Sequence, residues 1–291
     1  MLEVEVPKRD RLTEELAGLD ALELADLNRA SRARRLWSAT WPKAAAVGIA
    51  LGLWQLVVWS GWRPEYVLPG PGKVFAELRD QLADGRLQRA LWLTLGRAAR
   101  GYVLAMVIGV AVGSLVASSK VVRSAFGSFI TGLQTMPSVA WFPLALLLFK
   151  RSEAAILFVV VLGAAPSIAN GLIGGIDQIP PLQLRAGRVL GAKRWTMYRY
   201  VILPAALPGF VGGLKQGWGF AWRSLMAGEL LVIIKGHQSI GVLMQNARDL
   251  SDTPALMAEM IVILIIGIVV DAVVFSGMER TIRRRRGLLV S

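Results

Sequence analysis

Residues 184–208 read LRAGRVLGAKRWTMYRYVILPAALP. The stretch is basic and amphipathic. Gly191 sits inside it, and a Leu-Pro pair closes it before the next apolar run. Long apolar segments flank it on both sides, so its meaning depends on what those segments are.

The chain has 291 residues, of which 54% are hydrophobic. The apolar residues gather in runs long enough to cross a bilayer, which needs roughly 20 residues per helix. The class is therefore an all-α, polytopic membrane protein with about six spans. Formal charge is +13. In a soluble protein that surplus would point to nucleic acid. Here Lys and Arg accumulate in loops on one side of a bilayer, and nucleic acid is not the expected partner. There is no cysteine, so disulfides and thiolate metal sites are excluded. The charged N-terminus, MLEVEVPKRDRLTEELAGL, lacks the order of a signal peptide.

Three regions follow from these patterns. Residues 1–43 form a cytoplasmic arm, with leucines at helical spacing from Leu12 to Leu27. Residues 44–278 form a transmembrane domain, and residues 279–291 a basic cytoplasmic tail. The expected spans are 44–60, 91–117, 125–149, 154–176, 201–234 and 255–278. Pro137 and Pro143 break the third. Pro204, Pro208 and several glycines interrupt the fifth, so part of it is expected along the membrane interface. A short helix at 73–82 and a polar turn at 118–124 lie between spans. Gly109 and Gly113 in the second span make a small-xxx-small packing face.

Basic residues orient the chain. Arg29, Arg32, Arg34, Arg35, Lys120, Arg123, Arg185, Arg188, Lys193, Arg194, Arg199 and Arg283 to Arg286 flank one side. The other side has fewer, diluted by Glu65, Glu77, Asp80, Asp84, Glu153 and Asp249. By the positive-inside rule both termini and the 177–204 loop face the cytoplasm of a cell (inner or plasma) membrane.

No catalytic constellation is visible. One histidine, His237, and no cysteine remove most nucleophile–base pairs, and neither a zinc helix nor a phosphate-binding loop is present. A non-catalytic subunit is expected, with any energy coming from an ion gradient or another chain. The polar residues inside apolar runs carry the remaining information, because charge at membrane depth is costly. Arg223 and Glu229 lie six apart, on different helix faces. Arg223 either attracts an anion into a path or makes an interhelix ion pair. Trp218 and Trp222 share one face beside Arg223, and Trp141 lies in the third span. With Gln134 and Glu229 these residues are the candidate translocation path for a small anion. Asp271, Asn170 and Gln134 also fit structural pairing between helices, and His237 fits a surface loop.

At 185–204 the residues resemble the cytoplasmic signature E-A-A-x3-G-x9-I-x-L-P of permeases from type I ABC importers. Ala186, Gly191, Val201, Leu203 and Pro204 fall at its spacing. Arg185 replaces its Glu, and Gly187 its second Ala. LPGPGKVFAEL (68–78), TLGRAARGY (94–102), MPSVAWFPLALLLF (136–149) and AWRSLMAGELL (221–231) are similar to the nitrate/sulfonate/taurine/bicarbonate group. Members of that group carry a Phe-Gly turn where this chain has Phe149-Lys150-Arg151-Ser152. The resemblance covers residues 66–286. It implies a permease subunit paired with a second copy, two copies of a separate ATPase that holds ATP and magnesium, and a periplasmic or lipid-anchored solute-binding protein. No cofactor is implied in this chain itself. Arg185, Ala186, Gly187, Arg188, Gly191, Ala192, Arg194, Leu203 and Pro204 would then form the ATPase-coupling loop. An ion-coupled secondary transporter is the other reading, although no internal repeat supports it.

Overall fold

The computed structural model describes residues 32–285. The 12–27 helix and the residues beyond 285 lie outside the described residues. Everything described is helix or connecting turn, with no strand among the described residues. In chain order the helices are α1 (Arg32–Trp59), α2 (Pro71–Ala83), α3 (Arg86–Ser118), α4 (Lys120–Thr135), α5 (Phe142–Phe149), α6 (Glu153–Asp177), α7 (Pro181–Val189), α8 (Arg194–Met197), α9 (Leu203–Leu231), α10 (Ile240–Asp249), α11 (Thr253–Val270) and α12 (Ser276–Arg285).

The chain divides into residues 1–71 and 72–291. In the first unit, α1 runs unbroken across the expected arm–span boundary at residue 43 and contains Pro42. The Trp54 indole donates to the Pro69 carbonyl at 3.1 Å, which ties the proline-rich loop back to the helix.

The second unit is built around α6. Ala155, Ile156, Val159, Val160, Ala164 and Ile168 are buried along it. Helix α3 packs on one side through the expected small-residue face: a Cβ at Gly109 would lie 2.8 Å from the Ala165 carbonyl oxygen. Helix α9 packs on the other side more tightly still. A Cβ at Gly213 would lie 2.6 Å from Gly171 Cα, and one at Gly209 would lie 2.5 Å from Gly175 Cα. Two four-residue glycine repeats thus face each other with no side chain between them, the close approach that small residues permit in membrane helices.

This seam corrects the expected fate of residues 201–234. Rather than breaking at Pro208, α9 is one helix of 29 residues with Pro208 inside it. The proline removes one intrahelical bond, and the glycine seam beside it holds the backbone straight on. The expected turn at 118–124 also shrinks. Only Ser119 separates α3 from α4, and its side chain caps Val122 N.

The third span is broken as Pro137 requires, but the bend is sharp. Residues 121–135 and 138–149 meet at 101°. Pro143 makes no break of its own, because it falls at the start of α5, where its missing N–H is harmless. Among the described residues, four helices are long and apolar enough to cross a membrane, or five if this bent pair counts as one. The sixth expected span, α9, is long enough at about 43 Å but carries Lys215, Gln216, Arg223 and Glu229.

Candidate coupling segment and solute path

The hydrophilic segment between α6 and α9 is compact. Pro181 starts α7, where its ring pre-sets the first helical turn. Gly191 ends it with φ +78°. The Ala192 N–H donates to the Gly187 carbonyl and the Gly191 N–H to the Arg188 carbonyl, both at 3.0 Å. This bond pair closes a helix around a left-handed residue, a conformation that glycine adopts without penalty. Gly187 is buried, and a Cβ there would lie 3.0 Å from Met197 Sδ and 3.2 Å from Val201 Cγ2. The departure from Ala at 187 therefore comes with a methionine pressed against the vacated methyl position.

From Arg194 the chain is helical without a loop. Helix α8 passes through a wide turn, Tyr198–Ile202, directly into α9, and Leu203 and Pro204 form its first turn. Arg185, Ala186, Arg188 and Arg194 are exposed, and Ala192 is half-buried. The segment also shows large apolar side chains: Val189 is 87% exposed, Leu190 86% and Trp195 75%.

The candidate path residues separate into groups. Trp218 and Trp222 stack with centroids 6.0 Å apart, and Tyr102 meets Trp218 edge-on at 5.4 Å. Trp222 is buried, and its indole faces Gly267 of α11. Trp141 is half-buried against the same core. Gln134 accepts a 2.6 Å hydrogen bond from Asn170, joining α4 to α6. Asp271 pairs with Lys215 of α9 at 3.2 Å, so its partner is a neighbouring helix and not Arg280.

Arg223 is the exception. It lies deep in α9 yet is exposed, bonds only the Gly219 carbonyl of its own helix at 3.0 Å, and lies over the Phe220 ring at 4.8 Å. No ion pair forms at Arg223 among the described residues. The interhelix pair considered for it is thus absent. Gln216, Phe220, Arg223, Ala227 and Leu231 recur at helical spacing and make a partly open stripe along α9.

Glu229 lies elsewhere. It is fully buried and accepts from Arg97 Nη1 at 2.9 Å, from Thr94 Oγ1 at 2.9 Å and from the Gly241 N–H at 3.2 Å. Arg97, 1% exposed, also donates from Nε to both Glu153 oxygens at 3.0 Å. His237 Nδ1 lies 3.3 Å from Glu153, so this loop histidine has a charged partner. Thr94 Oγ1 in turn accepts from the Ile240 N–H at 3.1 Å. The cluster joins α3, α6, α9 and the start of α10. Every buried charge in it is paired and hydrogen-bonded, the condition for burying charge at all. Arg97 and Thr94 were not among the residues singled out by sequence. Their only signal was their place in TLGRAARGY, at what read as the polar flank of a span.

Among the described residues no three His, Asp or Glu side chains gather to hold a metal ion. The arrangement offers a docking segment and a partly open helix stripe.

Comparison with known proteins bears on both. Residues 64–287 match the family described as "Binding-protein-dependent transport system inner membrane component". A protein of Brucella melitensis named as a probable ABC transporter permease is 31% identical over 81% of this chain and 92% of its own length. The nitrate import permease protein of Leptolyngbya laminosa is 30% identical, covering 86% and 95%. The bicarbonate transport system permease protein of Synechococcus elongatus is 29% identical, covering 84% and 89%. In fold, the chain is similar to an inward-facing structure of the MetNI methionine ABC transporter, with a TM-score of 0.56, 20% identity, and coverage of 68% of this chain and 95% of that one.

Proposed function

The chain belongs to the family of inner membrane components of binding-protein-dependent transport systems, and from that premise we propose that it carries a small anion across the membrane and is driven through its 184–204 segment by a separate ATPase. The observation that carries this reading is the α7–α8 surface. Val189, Leu190 and Trp195 stand almost fully exposed on a rigid, glycine-closed helix in a hydrophilic segment between spans. Exposed apolar side chains rimmed by charge mark an interface with another protein. Two ATPase copies would each receive one such segment, one from each of two permease copies. ATP and magnesium would be held by the ATPase, and solute delivered by a binding protein on the opposite face.

The solute class rests on Arg223. An exposed arginine deep in a membrane helix is too costly to face lipid and needs a water-lined path. On the open stripe of α9 it would attract nitrate-, bicarbonate- or sulfonate-like anions. The positive-inside distribution puts both termini and the 184–204 segment in the cytoplasm.

Replacing Val189 and Leu190 together by Asp tests the coupling reading. The chain is expected to insert and fold, while the ATPase no longer co-purifies and solute-stimulated hydrolysis is lost. An ATPase that still co-purifies with unchanged hydrolysis would remove the proposal.

A further inference from the structure

At the end of the bundle away from the α7–α8 segment, α2 and the α10–α11 turn enclose a cavity of about 220 Å³. Its polar lining is Glu77 and Gln81 from α2, Arg86 from the start of α3, Asn246 from α10, Asp252 from the turn, and Glu259 from α11. Two of these side chains are more than nine-tenths buried, Gln81 at 4% exposure and Glu259 at 2%. Both carry an orphaned acceptor: Gln81 Oε1 and Glu259 Oε2 have no hydrogen-bond partner.

The neighbouring groups do not supply one. The Gln81 amide donates to Glu77 Oε1 at 3.1 Å. Arg86 is the cationic side chain of the lining, and its guanidinium is engaged by Asp84 at 3.0 Å. Asp252 is committed to the Ala255 N–H at the head of α11. Three carboxylates and one arginine therefore leave the cavity with surplus negative charge, and its deepest oxygens face inward. Burying a polar oxygen without a partner is costly, and the cost is removed by a ligand that accepts oxygen lone pairs.

We propose that this cavity binds a small monovalent cation of the sodium type, with Glu259 Oε2 and Gln81 Oε1 among its ligands. Carboxylate and amide oxygens are hard donors and select hard cations. Charge sets the valence. No three acidic or imidazole side chains gather to hold a metal among the described residues, whereas a divalent ion in a protein cage takes several carboxylates. A single positive charge fits one deeply buried carboxylate assisted by an amide. The cation would join α2 to α10 and α11, three elements that share few other polar contacts at this point. This site stands apart from the coupling segment and from the Arg223 stripe, and it does not rest on either.

The test uses the purified full-length chain in lipid nanodiscs. Its thermal midpoint is followed as sodium chloride replaces N-methyl-D-glucamine chloride at constant ionic strength. The midpoint is expected to rise by several degrees and saturate, as for a ligand that binds the folded state. Glu259→Gln keeps the shape and removes the charge, and it should abolish the rise. Direct binding of radioactive sodium to the wild-type chain, displaced by unlabelled sodium and not by N-methyl-D-glucamine, supplies a readout should that variant fail to insert. Equal midpoints in the two salts, no displaceable sodium, or a sodium-dependent rise that survives Glu259→Gln would each overturn the proposal.

Discussion

Two arginine sites at opposite ends of the bundle show what this chain keeps for itself and what it offers. Arg97 is 1% exposed and donates to Glu229 and Glu153. Arg185, Arg188 and Arg194 are exposed, form no ion pair among the described residues, and stand beside bare Val189, Leu190 and Trp195. At the first end four elements spend their polar groups on one another. At the second, polar and apolar groups alike point outward from a helix stiffened by its own backbone bonds. Saturated charge makes a permanent joint, whereas unsatisfied surface on a rigid element makes a socket for something else.

Breaking the joint should produce the largest effect. Arg97→Met leaves the Glu229 and Glu153 carboxylates without their shared cation, and it should destabilise the chain by about 3–5 kcal/mol, read as a large drop in thermal midpoint in detergent. Adding Glu229→Met to it should recover part of that loss. Strict additivity of the two changes would mean that the pair is not coupled.

Arg223→Ala addresses the region between the two ends. Uptake of an anionic solute by the assembled transporter should fall about tenfold, the equivalent of about 1.4 kcal/mol, with the ATPase still bound and the thermal midpoint little changed. Normal uptake would return Arg223 to a purely structural role.

Gly191→Ala should act on the socket alone. Forcing a Cβ into φ +78° costs about 1–2 kcal/mol locally. ATPase affinity should weaken several-fold, and the unfolding of the bundle should not change. The smallest effect is expected for Gly187→Ala. The added methyl meets Met197 Sδ at 3.0 Å, and a thioether side chain yields readily. The gain in helix propensity offsets the crowding, so stability should stay within about 0.5 kcal/mol, as a thermal scan would show.

Much of the frame was legible in the chain because its signals are local. Helix α6 runs Glu153–Asp177 where hydropathy gives 154–176, and α2 runs Pro71–Ala83 where the pattern gives 73–82. Gly191 is read from spacing and fulfilled by backbone angle. The joint was not legible, because Arg97 and its partner Glu229 are 132 residues apart and no window along the chain contains both. Arg97 looked like a flanking cation, and Glu229 like a lone acid beside a path. Pro208 misled for a related reason. Its effect depends on Gly209 and Gly213 meeting Gly171 and Gly175 on another helix, a fact of pairing and not of sequence neighbourhood. The 101° bend at Pro137 was legible as a break, but its angle was not.

The glycine seam has a mechanical consequence. Side chains between two helices act as a compliant layer, since rotamers can shift and absorb a small slide. Between α6 and α9 that layer is missing at Gly171, Gly175, Gly209 and Gly213, so the pair has the stiffness of backbone on backbone. Helix α9 is also the direct continuation of α8, with no loop to take up slack. A displacement applied at Arg194 therefore travels about 40 Å along one beam and reaches Arg223 undiminished. Any yielding must occur elsewhere, and the sharp elbow at Pro137 is the softest place the bundle provides.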